Sequence, residues 1–322
     1  MSQTRPDLLE AALTAVRDCM GLRPGERLLV VTDEPLRAIG HALREAGVAL
    51  GNEVILAEML PRRTNGEEPP PEITALMAMM DVVLCPTSKS LTHTDARRAA
   101  SAKGARIGTL PGVTEAIMVR CMRADYHAIA ARTERLCRLL QAAATVRVTA
   151  PGGTDIVMPI AGRTAHASSG LFREKGQWGN LPTGEAYLAP LEGQSEGMVV
   201  VDGSMAGVGM VREPIRIRVE AGYATAIEGG EEAERLRTLL EPHGREGRNV
   251  AEFGIGTNDR AILTGVILED EKVMGTIHIA FGDNKSMGGS VRVASHLDGL
   301  VTRPSVWLDD RPIMKDGALL VA

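Results

Sequence analysis

The chain is 322 residues long, 44% hydrophobic and 24% charged, with a formal net charge of -5. That length supplies core material for one large or two modest domains. The acidic balance without any Lys/Arg run excludes a phosphate-neutralising face, and aromatics at 2% exclude a base-stacking platform, so no nucleic-acid partner is expected.

The opening stretch, MSQTRPDLLEAALTAVRDCM, carries charge throughout and lacks the apolar core of a leader. No later stretch reaches membrane-spanning length without charges, which predicts a cytoplasmic protein with no membrane partner. Cys19, Cys85, Cys121 and Cys137 lie far apart and form no C-x-x-C pair, so they read as free thiols of a reducing compartment.

Strand and helix signals then alternate. ERLLVVTD (26 to 33) is a short apolar run expected of a strand buried on both faces. PLRAIGHALREAGVAL has helical spacing, NEVILAEM reads as a second strand, EITALMAMM as a helix and DVVLCPTS as a third strand. TDARRAASAKG is a helix capped by Thr94 or Asp95, and ARIGTLPG a fourth strand. This rhythm predicts an α/β domain with a parallel sheet over 1–144, closed by a long helix from about Asp125 to Ala143.

From Thr145 the texture changes. TVRVTAP, TDIVMPI, GMVVVDGS, PIRIRVEAG and YATAIEGG are short, often alternating runs parted by Gly and Pro, the pattern of hairpins. One helix, GGEEAERLRTLLEPHG, interrupts them, and GTIHIAFGD and SVRVASHLDGLV are further strands. Residues 145–322 are therefore expected to form a β-rich α+β domain. Its edge strands favour a homo-oligomer, such as a homodimer.

The chemistry is expected in this second half. On a strand, His296 and Asp298 project from one face while Leu297 points away. His278 alternates with Ile277 and Ile279, so its imidazole leaves the packed face and needs a hydrogen bond or a metal. Glu252 stands among apolar residues in NVAEFGIGTN, and Glu185 follows Pro182 and Gly184 in NLPTGEAYLAP. All are metal-ligand types, and burying such a carboxylate unpaired costs several kcal/mol, roughly the scale for isolated ions after relaxation.

In order, NLPTGEAYLAP, AEFGIGTN, GTIHIAFGDN and SHLDGL resemble the motif series of the aminopeptidase T (M29-type) metallopeptidase family. The resemblance implies Glu185, Glu252, His278, His296 and Asp298 as ligands of one or two divalent ions. It implies hydrolysis of an amide in a small molecule or short peptide, with Zn, Co or Mn as metal and either Glu185 or Glu252 moving the proton. The family's peptidases carry a Tyr seven residues after the motif histidine, where this chain has Lys285, the candidate replacement electrophile. A similar family, the ferrous ring-cleaving dioxygenase of 2,5-dihydroxypyridine, implies instead an Fe(II) site from His278, His296 and Asp298 acting on a hydroxylated (N-hetero)aromatic. A binding protein with a relic site is the third alternative.

Asp283 and Asn284 are candidate supports for His278. Arg292 is expected on the His296 face. Trp178 and Tyr187, which bracket Glu185, read as packing residues.

Overall fold

The computed structural model describes residues 4–321. Compactness divides the chain into two units that interleave in sequence: Met1–Ala128 with Gly170–Thr183, and Ile129–Ser169 with Gly184–Ala322.

The first unit is an α/β layer. Its five-stranded sheet runs 54–59, 28–33, 82–85, 106–109, 178–180, every neighbouring pair parallel. The strand Leu28–Asp33 is buried along its whole length, as its unbroken apolar run predicts. Helices Arg37–Ala49, Pro71–Met77 and Asp95–Ala102 follow the first three strands in turn. The hydroxyls of Thr94 and Thr114 accept from the backbone N–H of Arg97 and Ile117, capping helices Asp95–Ala102 and Glu115–Cys121. Trp178, on the last strand, packs under the Arg97 guanidinium at 3.8 Å from the ring centroid. That strand has only three residues, Trp178–Asn180, and comes from far along the chain.

The second unit is β-rich, as expected. An eight-stranded sheet and a seven-stranded sheet enclose one aliphatic core. Ile255, Ile277, Ile279 and Val301 of the seven-stranded sheet pack in the same cluster as Val146, Val148, Ile156 and Val199 of the other. Helix Glu231–Leu240, preceded by Gly230, supplies Leu236 and Leu240 to that core. All four cysteines are free thiols, three of them buried. No helix among the described residues is long and apolar enough to cross a membrane.

Candidate metal centre

The seven-stranded sheet turns one face to the core and carries polar side chains on the other. Strands Val250–Gly256, Thr276–Gly282 and His296–Thr302 are antiparallel neighbours at its centre, and Glu185–Leu188 pairs with the first of them. The register sets Gly254 opposite His278, Ala280 opposite Asp298, Gly282 opposite His296 and Gly256 opposite Glu185. Side chains two apart share a face, so Ile277, Ile279 and Phe253 point into the core and His278 points away.

Glu252 reaches that polar face through a bulge. Val250 belongs to the core, and plain alternation would place Glu252 beside it. The pairing shifts between Val250 and Glu252, so that Val250 faces Phe281 while Glu252 faces Ala280. One extra residue thus flips the carboxylate to the side of His278.

The result is a compact cluster. Glu252 Oε1 lies 3.2 Å from His278 Nε2, and its Oε2 lies 3.1 Å from His296 Nε2. Glu185 Oε2 is 3.6 Å from His278 Nε2, and Asp298 Oδ1 is 3.5 Å from His296 Nε2. The five residues fall into two triads with mutually close donor atoms, Glu185–Glu252–His278 and Glu252–His296–Asp298, joined by Glu252. All five expected ligand residues are therefore brought together.

The electrostatics of the cluster call for positive charge. Burial would lower the His278 pKa, but the hydrogen bond and charge of Glu252, with Glu185 and Asp298, raise it to about 9. Burial is likewise overcome at His296, where Asp298 and Glu252 raise the pKa well above the usual imidazole range. Glu252 moves the other way: burial opposes its charge, yet the two imidazoles hold its pKa well below that of an ordinary carboxylate. Three carboxylates and two imidazoles on rigid strands match the oxygen-and-nitrogen donor set of a divalent transition metal.

The two imidazoles are oriented differently. His296 Nδ1 donates to the Asp283 backbone carbonyl at 2.7 Å, which leaves Nε2 for the cluster. Asp283 thus supports His296 rather than His278. The buried Nδ1 of His278 has no partner among the described residues. Its ring is fixed instead by contact: a Cβ on Gly254 would lie 2.0 Å from Nε2 and 2.2 Å from Cε1.

The loop that carries Asp283 is tied down by Glu192. Its Oε1 accepts from Ser290 N at 2.7 Å and Asn284 Nδ2 at 2.9 Å, and Arg163 pairs with Oε2. Burial opposes ionisation, but these donors and the Arg163 charge lower the Glu192 pKa from 4.5 to about 2. A depressed carboxylate stabilises the fold above its unfolded pKa and loses that contribution as pH falls through the folded one. Glu192→Gln is therefore expected to cost about 2 kcal/mol at pH 7, after allowance for partial exposure. The gap between variant and wild type should shrink as pH falls from 4.5 to about 2. Urea denaturation across that range measures it, and a pH-independent difference would refute the assignment.

Lys285, the expected electrophile, is exposed on the turn Lys285–Met287 and forms no ion pair among the described residues. The ammonium at the cluster is Lys272. Its Nζ sits 2.6 Å from Glu185 Oε1 and 2.5 Å from Glu271 Oε1, with the side chain 2% exposed. Nothing in ILEDEKVMG marks it, because a charged run on a short helix reads as a solvated face. The fold reverses that reading locally. Asp270 accepts from Thr264 N and Gly265 N, and Glu269 accepts from Ile262 N, so both acids are used on the preceding loop. Arg292 is also exposed and lies outside the strand, which begins only at His296. Tyr187 stacks on His166 with ring centroids 5.2 Å apart. Burial, with the Glu185 and Glu252 charges, pushes its pKa up and keeps the phenol a neutral donor.

The fold has known counterparts. The structure of 2,5-dihydroxypyridine dioxygenase from Pseudomonas putida KT2440 superposes with a TM-score of 0.82 at 21% identity, covering 98% of this chain and 97% of that one. Wild-type AmpT from Thermus thermophilus superposes with a TM-score of 0.71 at 19% identity, covering 98% and 99%. Both resemblances drawn from the motifs are thus supported at the level of fold. In sequence, the curated 2,5-dihydroxypyridine 5,6-dioxygenase of Pseudomonas putida is 28% identical over 192 residues, 56% of this chain. The match spans 55% of that relative's length, about half. The family model described as NicX: 2,5-dihydroxypyridine 5,6-dioxygenase matches residues 7–321, and the chain belongs to that family.

Proposed function

We propose that the protein is a metal-dependent enzyme, a ring-cleaving dioxygenase that uses Fe(II) on a hydroxylated N-heteroaromatic. The observation that carries this reading is Glu252 placed between His278 and His296, with Asp298 beside His296, in a chain matched almost end to end by that family. His278, His296 and Asp298 would hold the iron, with Glu252 joining them. A bound ferrous ion supplies the one-electron chemistry that lets dioxygen react with an electron-rich ring.

The chain's own groups do the rest. His278 and His296 present Nε2 to the two oxygens of Glu252, and the Asp283 carbonyl holds the second of them in place. Glu252, held ionised by both imidazoles, balances positive charge in a site largely closed to water. Tyr187, kept protonated beside Glu185 and Glu252, is a hydrogen-bond donor suited to a ring oxygen or nitrogen of the substrate.

A second reading, amide hydrolysis, is favoured by one feature. Glu252 is shared by two donor triads, the arrangement two-metal hydrolases use. The two readings part on one experiment. Protein purified and reconstituted with Fe(II) without air is given 2,5-dihydroxypyridine, and oxygen uptake is followed with an electrode. One dioxygen consumed per ring opened, with no turnover under argon, is the expected result. Oxygen-independent cleavage of dipeptide amides by the Co(II)- or Zn(II)-loaded protein, without ring opening, would overturn it.

A further inference from the structure

The geometry points to Lys272 as a built-in cation that stands where a second metal would be neutralised, so that the cluster accepts one divalent ion rather than two. It rests on the metal reading proposed above and adds to it the number of ions and the residue that sets it.

The donors form two triads around Glu252. In two-metal sites the ions lie about 3.5–4 Å apart, and their repulsion is offset by a shared carboxylate plus carboxylates belonging to each ion. Asp298 plays that part for the triad with His296. Glu185 is the one carboxylate that belongs to the triad with His278 alone. Its Oε1 is taken by Lys272 Nζ at 2.6 Å, which leaves Oε2, 3.6 Å from His278 Nε2, for anything else. The ammonium cannot swing into solvent, because Glu271 grips it at 2.5 Å and the side chain is 2% exposed.

Charge counting agrees. Burial pushes the Glu271 carboxyl up to about 8, so it is mostly protonated at neutral pH. Glu185, Glu252 and Asp298 contribute three negative charges, and Lys272 contributes one positive charge. One divalent ion brings the sum from minus two to zero. A second would carry it to plus two, beside a fixed ammonium in a low-dielectric pocket where like charges repel strongly. The half around His296 has no ammonium paired with it among the described residues, and its imidazole is oriented by the Asp283 carbonyl. A single ion therefore settles toward His296 and Asp298, on the side of Glu252 away from Lys272. A lysine kept only to support the fold would leave ion number unchanged on replacement, which separates that role from this one.

The test is a metal count on the full-length chain. Protein stripped with a chelator is titrated with Co(II), and bound ions per chain are read from the d–d absorption and by elemental analysis after desalting. The expected counts are one for wild type, one for Lys272→Arg, which keeps the charge, and two for Lys272→Met. In the methionine variant the second ion should bind at least about a hundredfold more tightly than in wild type. A folded Lys272→Met protein that still takes one ion overturns the inference. Wild type that takes two ions of similar affinity also overturns it, and leaves the metal reading standing. Should the methionine variant not fold, Lys272→Gln, which keeps a hydrogen-bond donor and loses the charge, takes its place: two ions support the inference, and one overturns it. A wild-type protein that binds no Co(II) overturns the inference together with the reading beneath it.

Discussion

Glu252→Gln is expected to strip the protein of tightly held metal and to abolish turnover. Glu252 is the only residue common to both donor triads, and its two oxygens sit 3.2 and 3.1 Å from the two imidazoles. Glutamine keeps the size and loses the charge. It also presents an amide nitrogen to one of the two rings, which leaves that ring with a donor where it had an acceptor. Removing an outer partner of a metal ligand costs about 10–100-fold in affinity, and removing a shared ligand should exceed the top of that range. Elemental analysis after dialysis measures it directly. The metal-free variant should be destabilised as well, because deleting one partner of a buried ionic network costs about 3–5 kcal/mol when the others stay behind. A Glu252→Gln protein with wild-type metal content and activity would show that the carboxylate is not a ligand.

Gly254→Ala is the second large effect, and it works by shape alone. The added methyl would stand 2.0 Å from His278 Nε2, a distance no pair of non-bonded heavy atoms tolerates. The ring is fully buried, with the isoleucines on either side of it packed in the core, so it has little room to retreat. Overpacking of this kind costs about 1–3 kcal/mol. The functional loss should be greater, because the ring that moves is an expected ligand. The predicted signature is a variant that melts a few degrees lower, keeps its circular dichroism spectrum, and binds Co(II) at least about tenfold more weakly. Unchanged Co(II) affinity would mean that His278 stays out of the coordination sphere.

Much of this architecture is legible from residue order, and the exceptions have physical causes. The first four strands of the first sheet announce themselves as short, mostly apolar runs between turn residues and helices. The fifth strand, Trp178–Asn180, is too short to show any periodicity, and it joins the sheet only through pairing with Arg106–Thr109. The expected ligand residues are legible because each is polar in an apolar strand. Glu252 could be named as odd, but not placed, since its face depends on a bulge that alternation does not encode. Lys272 could not be found at all. Its burial arises because Glu269 and Asp270 fold the loop before it, and that is a tertiary matter. Lys285 misled for the opposite reason: its spacing from His278 matches a family position, but the turn carries it to the surface.

The late arrival of Trp178–Asn180 also bears on how the protein is made. During synthesis the strand Arg106–Thr109 emerges about seventy residues before its outer neighbour, and until then it presents unpaired backbone groups along a newly formed margin. Production of a fragment ending near residue 144 would leave that margin permanently open and invite strand-to-strand aggregation. A fragment carried through Thr183 would supply the missing strand, so the first unit is finished on the ribosome only after the opening strands of its neighbour have been translated.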